Sequence, residues 1–402
     1  MHVELLVVGG GPAALAAATS YRDHGGRGAV VLVSDDSAPP YFRPPLSKGY
    51  LRGESEAGDT ELTPATTYTN RGITLLLRQG VTTLSAGDRA AQLSGGARIT
   101  FKACVLATGS APKPLPVPGA DAPAVAMLRS LASAEQLRAA ARTARSAVVV
   151  GSGFIGCEAA ASLARRGLDV TVVSAEDLPQ EKRLGADAGR RIAGWLAEDG
   201  VTLIGGVQVE AIEPLGDPDQ RPRRVRVSGR DPLEADLVLV AGGIDPNVTL
   251  ARAAGLRVEQ DRVVVDEHMR ASVPGLYAAG DVAYARNATA GRHLVVEHWG
   301  EAEAMGTVAG GVAAGADLRW DAVPGFWTEI GDRTLKYAAW GDGYDRARLV
   351  DHGGGAFTVW YADEQGRAVG VATHEADEDY ERGSELVAAG KPIPDVATVT
   401  EE

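Results

Sequence analysis

Apolar residues run unbroken from Leu5 to Val8, stop at three glycines, and resume as an alanine-rich segment from Ala13. A continuous apolar run of this kind predicts a strand buried on both faces, as in a parallel sheet covered by helices. The alanine-rich segment predicts a closely packed helix. A second apolar run covers residues 29–33 and ends near Asp35 and Asp36, so the opening reads as strand, turn, helix, strand. The order returns later: an apolar run to Val150, glycines at 151, 153 and 156, a helical stretch through Arg166, and an apolar run at 170–173. This alternation predicts the α/β class, with two Rossmann-like units built on parallel sheets.

Further runs fill in the order of elements. Residues 74–77 and 90–93 are short and apolar, and residues 103–106 lead into the small-residue turn Ala107-Thr108-Gly109. Prolines at 39, 40, 44 and 45 forbid a regular ladder and predict a rigid loop, while Pro112, Pro114, Pro116 and Pro118 predict a stiff extended link at a domain boundary. Runs at 202–204 and 224–227 are expected to flank a polar hairpin over 217–222. Apolar strands are expected at 235–243 and at 274–283, the latter finishing on Gly280-Asp281. Glu297-His298-Trp299 precedes a helical pattern over 300–312. Alternation at 334–340 and 356–361, followed by a helix at 379–389, predicts a small C-terminal α+β module.

Length and charge narrow the picture. A chain of 402 residues is long enough for two or three domains, each with its own core. The net charge of −13 argues against a broad nucleic-acid surface or an anionic-membrane stripe. The two cysteines, Cys104 and Cys157, both lie in buried-type segments, so neither a disulfide framework nor a metal cluster is expected. No apolar span reaches bilayer length, and the chain enters its first strand without a basic, cleavable leader, so a cytoplasmic protein is expected.

The glycine turns carry the first chemical signal. Gly9 permits the tight turn, Gly11 lets backbone approach a pyrophosphate, and with Pro12 opening the helix, small Ala14 lets helix and strand pack closely. Either Asp35 or Asp36 can accept from the ribose hydroxyls. In the second unit Gly151, Gly153 and Gly156 repeat the spacing, followed by Phe154 and Ile155 at the helix start. There Ser174 occupies the place where an acid grips the adenosine ribose of NAD. Glu176 can bend back to those hydroxyls and repel a 2′-phosphate, whereas Lys182 and Arg183 can attract one. NADH is therefore favoured, with NADPH left open.

These units, with Tyr41-Phe42-Arg43-Pro44-Pro45-Leu46-Ser47-Lys48, Ala107-Thr108-Gly109, the run from Tyr277 to Asp281 and Glu297-His298-Trp299, closely resemble the FAD-dependent ferredoxin reductase family. Apoptosis-inducing factor is a relative of it. The resemblance implies an FAD domain interrupted by an NAD(P)H domain: residues 1–111 and 242–319, 112–241, and then a C-terminal domain at 320–402. It implies that Gly9 to Ala14 and Gly280-Asp281 share the FAD, with Asp281 on the ribityl chain. Arg43, Val81, Ala107, Thr108, Gly109, Glu297, His298 and Trp299 would complete the site, and Gly151 to Gly156 and Gly242 would take the nicotinamide cofactor.

It further implies that Lys48 sits near flavin N5, paired with Glu158, and that Pro45 packs beside the isoalloxazine. Hydride would pass from nicotinamide to flavin, and electrons would leave singly to a ferredoxin or rubredoxin. Oligomeric state, monomer or homodimer, stays open. The family's C-terminal Phe-Trp-Ser-Asp-Gln stretch is Phe326-Trp327-Thr328-Glu329-Ile330 here. Trp327 can still stack over the flavin, but the change leaves direct reduction of a quinone or oxygen, or an apoptosis-inducing-factor-like redox sensor, as alternatives. The thiol pair of related disulfide reductases is absent, so no thiol relay is expected.

Overall fold

In the computed structural model, which describes residues 1–217 and 221–394, a mostly parallel sheet with an antiparallel edge, formed by Val81–Ser85 and Ala90–Leu93, and a second, parallel sheet sit side by side with an antiparallel sheet against them. The first sheet has His2–Val8 at its centre, paired in parallel with Val30–Val33 on one side and Arg98–Leu106 on the other. Leu5, Leu6 and Val7 are fully buried, as an unbroken apolar strand covered on both faces requires. The chain leaves this sheet after residue 106 and returns to it at Leu276–Ala278, which pairs in parallel with Cys104 to Leu106. Two strands far apart in sequence therefore end beside one another at the same sheet edge.

Between them the chain builds the second parallel sheet, in the order Thr202–Ile204, Asp169–Val173, Ser146–Val150, Leu237–Val240 and Val125–Met127. The proline link is paired at its start: Ser110–Pro112 runs antiparallel to Ile244–Pro246, so both passages between the sheets lie together. One expectation is corrected here. Thr202–Ile204 is a parallel edge strand, and the hairpin partner of Arg223–Val227 is Val209–Pro214. A register shift between Val209 and Ala211 breaks the alternation that marks such a strand in sequence. Residues 218–220 of the expected polar hairpin lie outside the described residues.

Helix Pro12–Asp23 packs along helix Trp299–Ala314, and glycine sets the distance. A Cβ at Gly310 would stand 2.0 Å from the Ala17 carbonyl oxygen, and one at Gly306 would stand 2.3 Å from that of Ala13. This close approach sets His298 and Trp299, at the start of the second helix, on the same cavity as the first glycine turn. The C-terminal sheet is wholly antiparallel, in the order Gly325–Ile330, Arg333–Ala339, Ala368–His374, Ala356–Ala362 and Arg346–Gly353, with helix Asp377–Ala389 alongside. Its Leu335, Phe357 and Val359 share a core with Ala160 and Leu163 of helix Phe154–Arg165. The third module is thus anchored to the second sheet's helix. Among the described residues, no helix is long and apolar enough to cross a membrane.

Candidate functional site

A single cavity of about 1630 Å³ runs between the two glycine turns. A pocket for one drug-sized ligand takes roughly 300–1,000 Å³, so this one has room for more than one extended ligand. From the first unit its wall is made by Gly9, Gly11, Pro12, Asp35, Asp36, Arg43, Lys48, Val81, Ala107, Thr108 and Gly109. Gly153, Phe154, Ile155 and Glu158 face it from the second unit, and Gly280, Asp281, Glu297, His298, Trp299 and Trp327 from the later chain.

Other expected residues lie behind the wall. Ala14 is fully buried beneath the first turn, as its packing role requires. Gly151 and Gly156 close the second turn on itself: a Cβ on Gly156 would stand 2.1 Å from the Gly151 carbonyl oxygen. Gly242 lies beside the cavity-lining Ala241 and Gly243. Pro45 does not line the cavity; Pro44 does. Within the 3₁₀ turn Pro44–Ser47, Pro44, Leu46 and Ser47 all border the cavity. Ser174 is buried and shares a hydrogen bond with Ser152 (Oγ to Oγ, 2.7 Å), while Glu176 accepts the Lys182 backbone N–H at 3.2 Å. Arg183, read in sequence as a 2′-phosphate candidate, lines the cavity with its guanidinium 5.9 Å from the Phe154 ring.

The first turn fits a dinucleotide. Gly9 has φ +136°, and a Cβ there would stand 2.0 Å from the Ala107 carbonyl oxygen, so only glycine closes this turn. Gly11 caps helix Pro12–Asp23 with no side-chain cap, leaving its first N–H groups directed at the cavity. Asp36 is already engaged by the Tyr41 hydroxyl at 3.0 Å and the Ala38 N–H at 3.1 Å. Asp35 has no hydrogen-bond partner among the described residues and is exposed, so it is the acid left for a ribose. Arg43 has a buried Nε without a partner, and burial together with neighbouring Arg129 pulls its pKa down. An anion in the cavity, such as a pyrophosphate, would satisfy both features.

Across the cavity, Asp281 Oδ2 accepts from Ser110 Oγ at 2.6 Å and Arg129 Nη2 at 2.8 Å, while Oδ1 takes no donor among the described residues. That oxygen is free for a polyol hydroxyl. Lys48 Nζ lies 2.8 Å from Glu158 Oε2, with both side chains buried. The same ammonium stands 5.2 Å from the Trp327 ring, which is 45% exposed and reaches the surface. His298 stacks on Phe326 at 4.2 Å, and Phe154 meets Phe326 edge-on at 4.8 Å. Burial, reinforced by Arg183, lowers the His298 pKa to about 3, so the imidazole is neutral at pH 7. Glu297 pairs with Arg262, yet burial still raises its pKa.

Sequence reasoning missed Arg129, Ser47, Phe326 and Thr328. Ser47 and Phe326 adjoin residues that were identified, but Arg129 carries no local signal. Both cysteines are buried free thiols with pKa values pushed up by burial, and no His/Cys/Asp/Glu group suited to a metal occurs among the described residues.

The profile of the pyridine nucleotide-disulphide oxidoreductase family matches residues 3–306. Rhodocoxin reductase of Rhodococcus erythropolis is 32% identical over 99% of this chain and 93% of its own. The ferredoxin reductase subunit of 5,5'-dehydrodivanillate O-demethylase from Sphingobium sp. is 33% identical over 98% of this chain and 95% of its own. Among solved structures, the reductase of the covalent putidaredoxin reductase–putidaredoxin complex superposes with a TM-score of 0.91 at 30% identity, covering 97% of this chain and 94% of that one.

Proposed function

The chain belongs to the pyridine nucleotide-disulphide oxidoreductase family, and from that premise we propose that it is an FAD-dependent NADH reductase serving a small iron–sulfur protein of the ferredoxin or rubredoxin kind. The observation that carries the reading is one cavity linking both glycine turns to the surface at Trp327, with Lys48 and Glu158 paired where they converge. The resemblance of the solved reductase bound to its iron–sulfur partner supports the acceptor class.

In this reading residues 1–111 and 242–319 hold FAD, 112–241 hold the nicotinamide cofactor, and 320–402 form the C-terminal domain. Bound FAD supplies acceptance of a hydride and release of the two electrons singly. The chain supplies the rest. Gly9 and Gly11 admit the pyrophosphate, Arg43 and Arg129 balance its charge, Asp35 takes the ribose, and Asp281 Oδ1 takes the ribityl hydroxyls. Lys48 places a buried positive charge beside the ring system, which favours the electron-rich reduced form, and Glu158 offsets the desolvation of that charge. Aromatic Phe154, Phe326 and His298 exclude water around the nicotinamide end.

NADH is the preferred donor. Glu176 stands after the strand that would meet the adenosine ribose, where its charge would repel a 2′-phosphate, and the Arg183 guanidinium lies toward the Phe154 ring. A cytoplasmic setting belongs to the same proposal, supported by two reduced, buried cysteines. Cytochrome c reduction tests it: NADH and a matching ferredoxin together should greatly exceed NADH alone, and equal rates would refute an iron–sulfur acceptor.

A further inference from the structure

Three segments remote in sequence converge on one buried carboxylate. Glu158 Oε1 accepts from Thr328 Oγ1 at 2.5 Å, and Glu158 Oε2 accepts from Ser47 Oγ at 2.5 Å beside Lys48 Nζ at 2.8 Å. Glu158 is 5% exposed, Ser47 6% and Thr328 1%. Glu158 belongs to the helix of the second glycine unit, Ser47 and Lys48 to the proline turn, and Thr328 to the first strand of the C-terminal sheet. A further bond ties two of these segments: Ser162 Oγ, one turn along the same helix face as Glu158, donates to the Ser47 carbonyl at 2.7 Å.

We infer that Thr328 and Ser47 are positioning residues for the reductive step, their hydroxyls orienting Glu158 so that it holds the Lys48 ammonium at the flavin edge. The inference rests on the reading of this cavity as an FAD site. A buried ion pair is sound only when the lone pairs left over find donors, and here each Glu158 oxygen has a hydroxyl of its own. The terminal torsion of a glutamate is soft, so two donors on opposite oxygens are what fix the carboxylate plane. Removing the Thr328 donor leaves Oε1 as an unsatisfied buried acceptor. The carboxylate is then free to turn off Lys48, and its charge, no longer shared with a donor, opposes added electrons on the flavin. Strand alternation points Thr328 inward with Ile330, away from Trp327, and its hydroxyl is committed to Glu158 where it borders the cavity.

The test uses the full FAD-loaded chain and reads flavin midpoint potential, limiting rate of reduction by NADH, and NADH affinity. Thr328→Val keeps the β-branched shape and removes the donor. It should make the potential more negative and slow reduction on the order of 10-fold, the size of one hydrogen bond to a charged group, with NADH affinity unchanged. Thr328→Ser should restore wild-type values, and Ser47→Ala should shift the potential in the same direction as Thr328→Val. Wild-type potential and rate in Thr328→Val overturn the inference, as does a Thr328→Ser protein as impaired as the valine variant. If Thr328→Val does not load flavin, Ser47→Ala decides, and its unchanged potential and rate overturn the inference. A wild-type protein without flavin, or with flavin that NADH does not reduce, refutes the functional reading itself.

Discussion

Arg129 Nη2 lies 2.8 Å from Asp281 Oδ2, joining residues 152 positions apart and tying the start of the second unit to the strand that completes the first sheet. Arg129 Nε also donates to the Ser110 carbonyl at 3.0 Å, so one guanidinium fixes both the link between the sheets and the acid facing the cavity. Arg129→Ala should weaken FAD retention on the order of 10-fold while leaving the fold intact, because it removes a charged donor and frees Asp281 to turn. Flavin content after dialysis, with far-UV circular dichroism as the control for folding, checks this.

Lys48 and Glu158 form a buried pair, and the two single deletions should differ from the double. Lys48→Ala strands the Glu158 carboxylate, at a stability cost of about 3 kcal/mol, and slows flavin reduction more than it lowers flavin content. Adding Glu158→Gln should recover most of the stability and none of the rate. Chemical denaturation alongside stopped-flow reduction separates the two effects, and recovery of the rate in the double variant would remove Lys48 from its assigned role.

Arg183 lines the cavity beside Phe154, whereas Glu176 follows strand Asp169–Val173 and accepts the Lys182 backbone N–H, so under the proposed function they should affect the donors differently. Arg183→Leu is expected to weaken NADH and NADPH alike. Glu176→Ala should improve use of NADPH selectively, by removing a negative charge from the 2′-phosphate's place. The ratio of kcat/KM for the two nucleotides reports both outcomes, and a change of that ratio in Arg183→Leu would return this arginine to the ribose end.

His298 has its pKa lowered to about 3, against an ordinary value near 6.5. Between those values the unfolded chain binds the proton and the folded one does not. The stability associated with neutral His298 is therefore fully present above about pH 6.5 and declines as pH falls toward 3. His298→Gln should lose less stability than the parent between pH 7 and pH 5, measured by urea midpoints. Parallel declines would place a charged imidazole in the folded protein.

Much of the frame was legible because it is local. The apolar run through Val8, the glycines that follow and the acids past residue 34 lie within one strand–turn–helix–strand unit, and the same holds from Val150 to Glu176. Which acid is free was not legible, since Asp36 is engaged by Tyr41 only once the proline loop folds back. The family resemblance points to Pro45 as the ring-facing proline, and in the structure the neighbouring Pro44 is the one that borders the cavity. Arg129 and Thr328 resemble ordinary surface and strand residues in sequence. Their partners lie 152 and 170 positions away, and only the packing of separate sheets brings them together.

The central claim is that electrons enter from nicotinamide at one end of a continuous cavity and leave singly to an iron–sulfur protein. Anaerobic mixing of the flavin-loaded chain with one equivalent of NADH, followed by a second mix with oxidised ferredoxin, tests it most directly. The visible absorbance of oxidised flavin should bleach in the first step and return in the second, as about two equivalents of ferredoxin are reduced per flavin. Bleaching by NADH that persists in the presence of ferredoxins or rubredoxins would contradict the account.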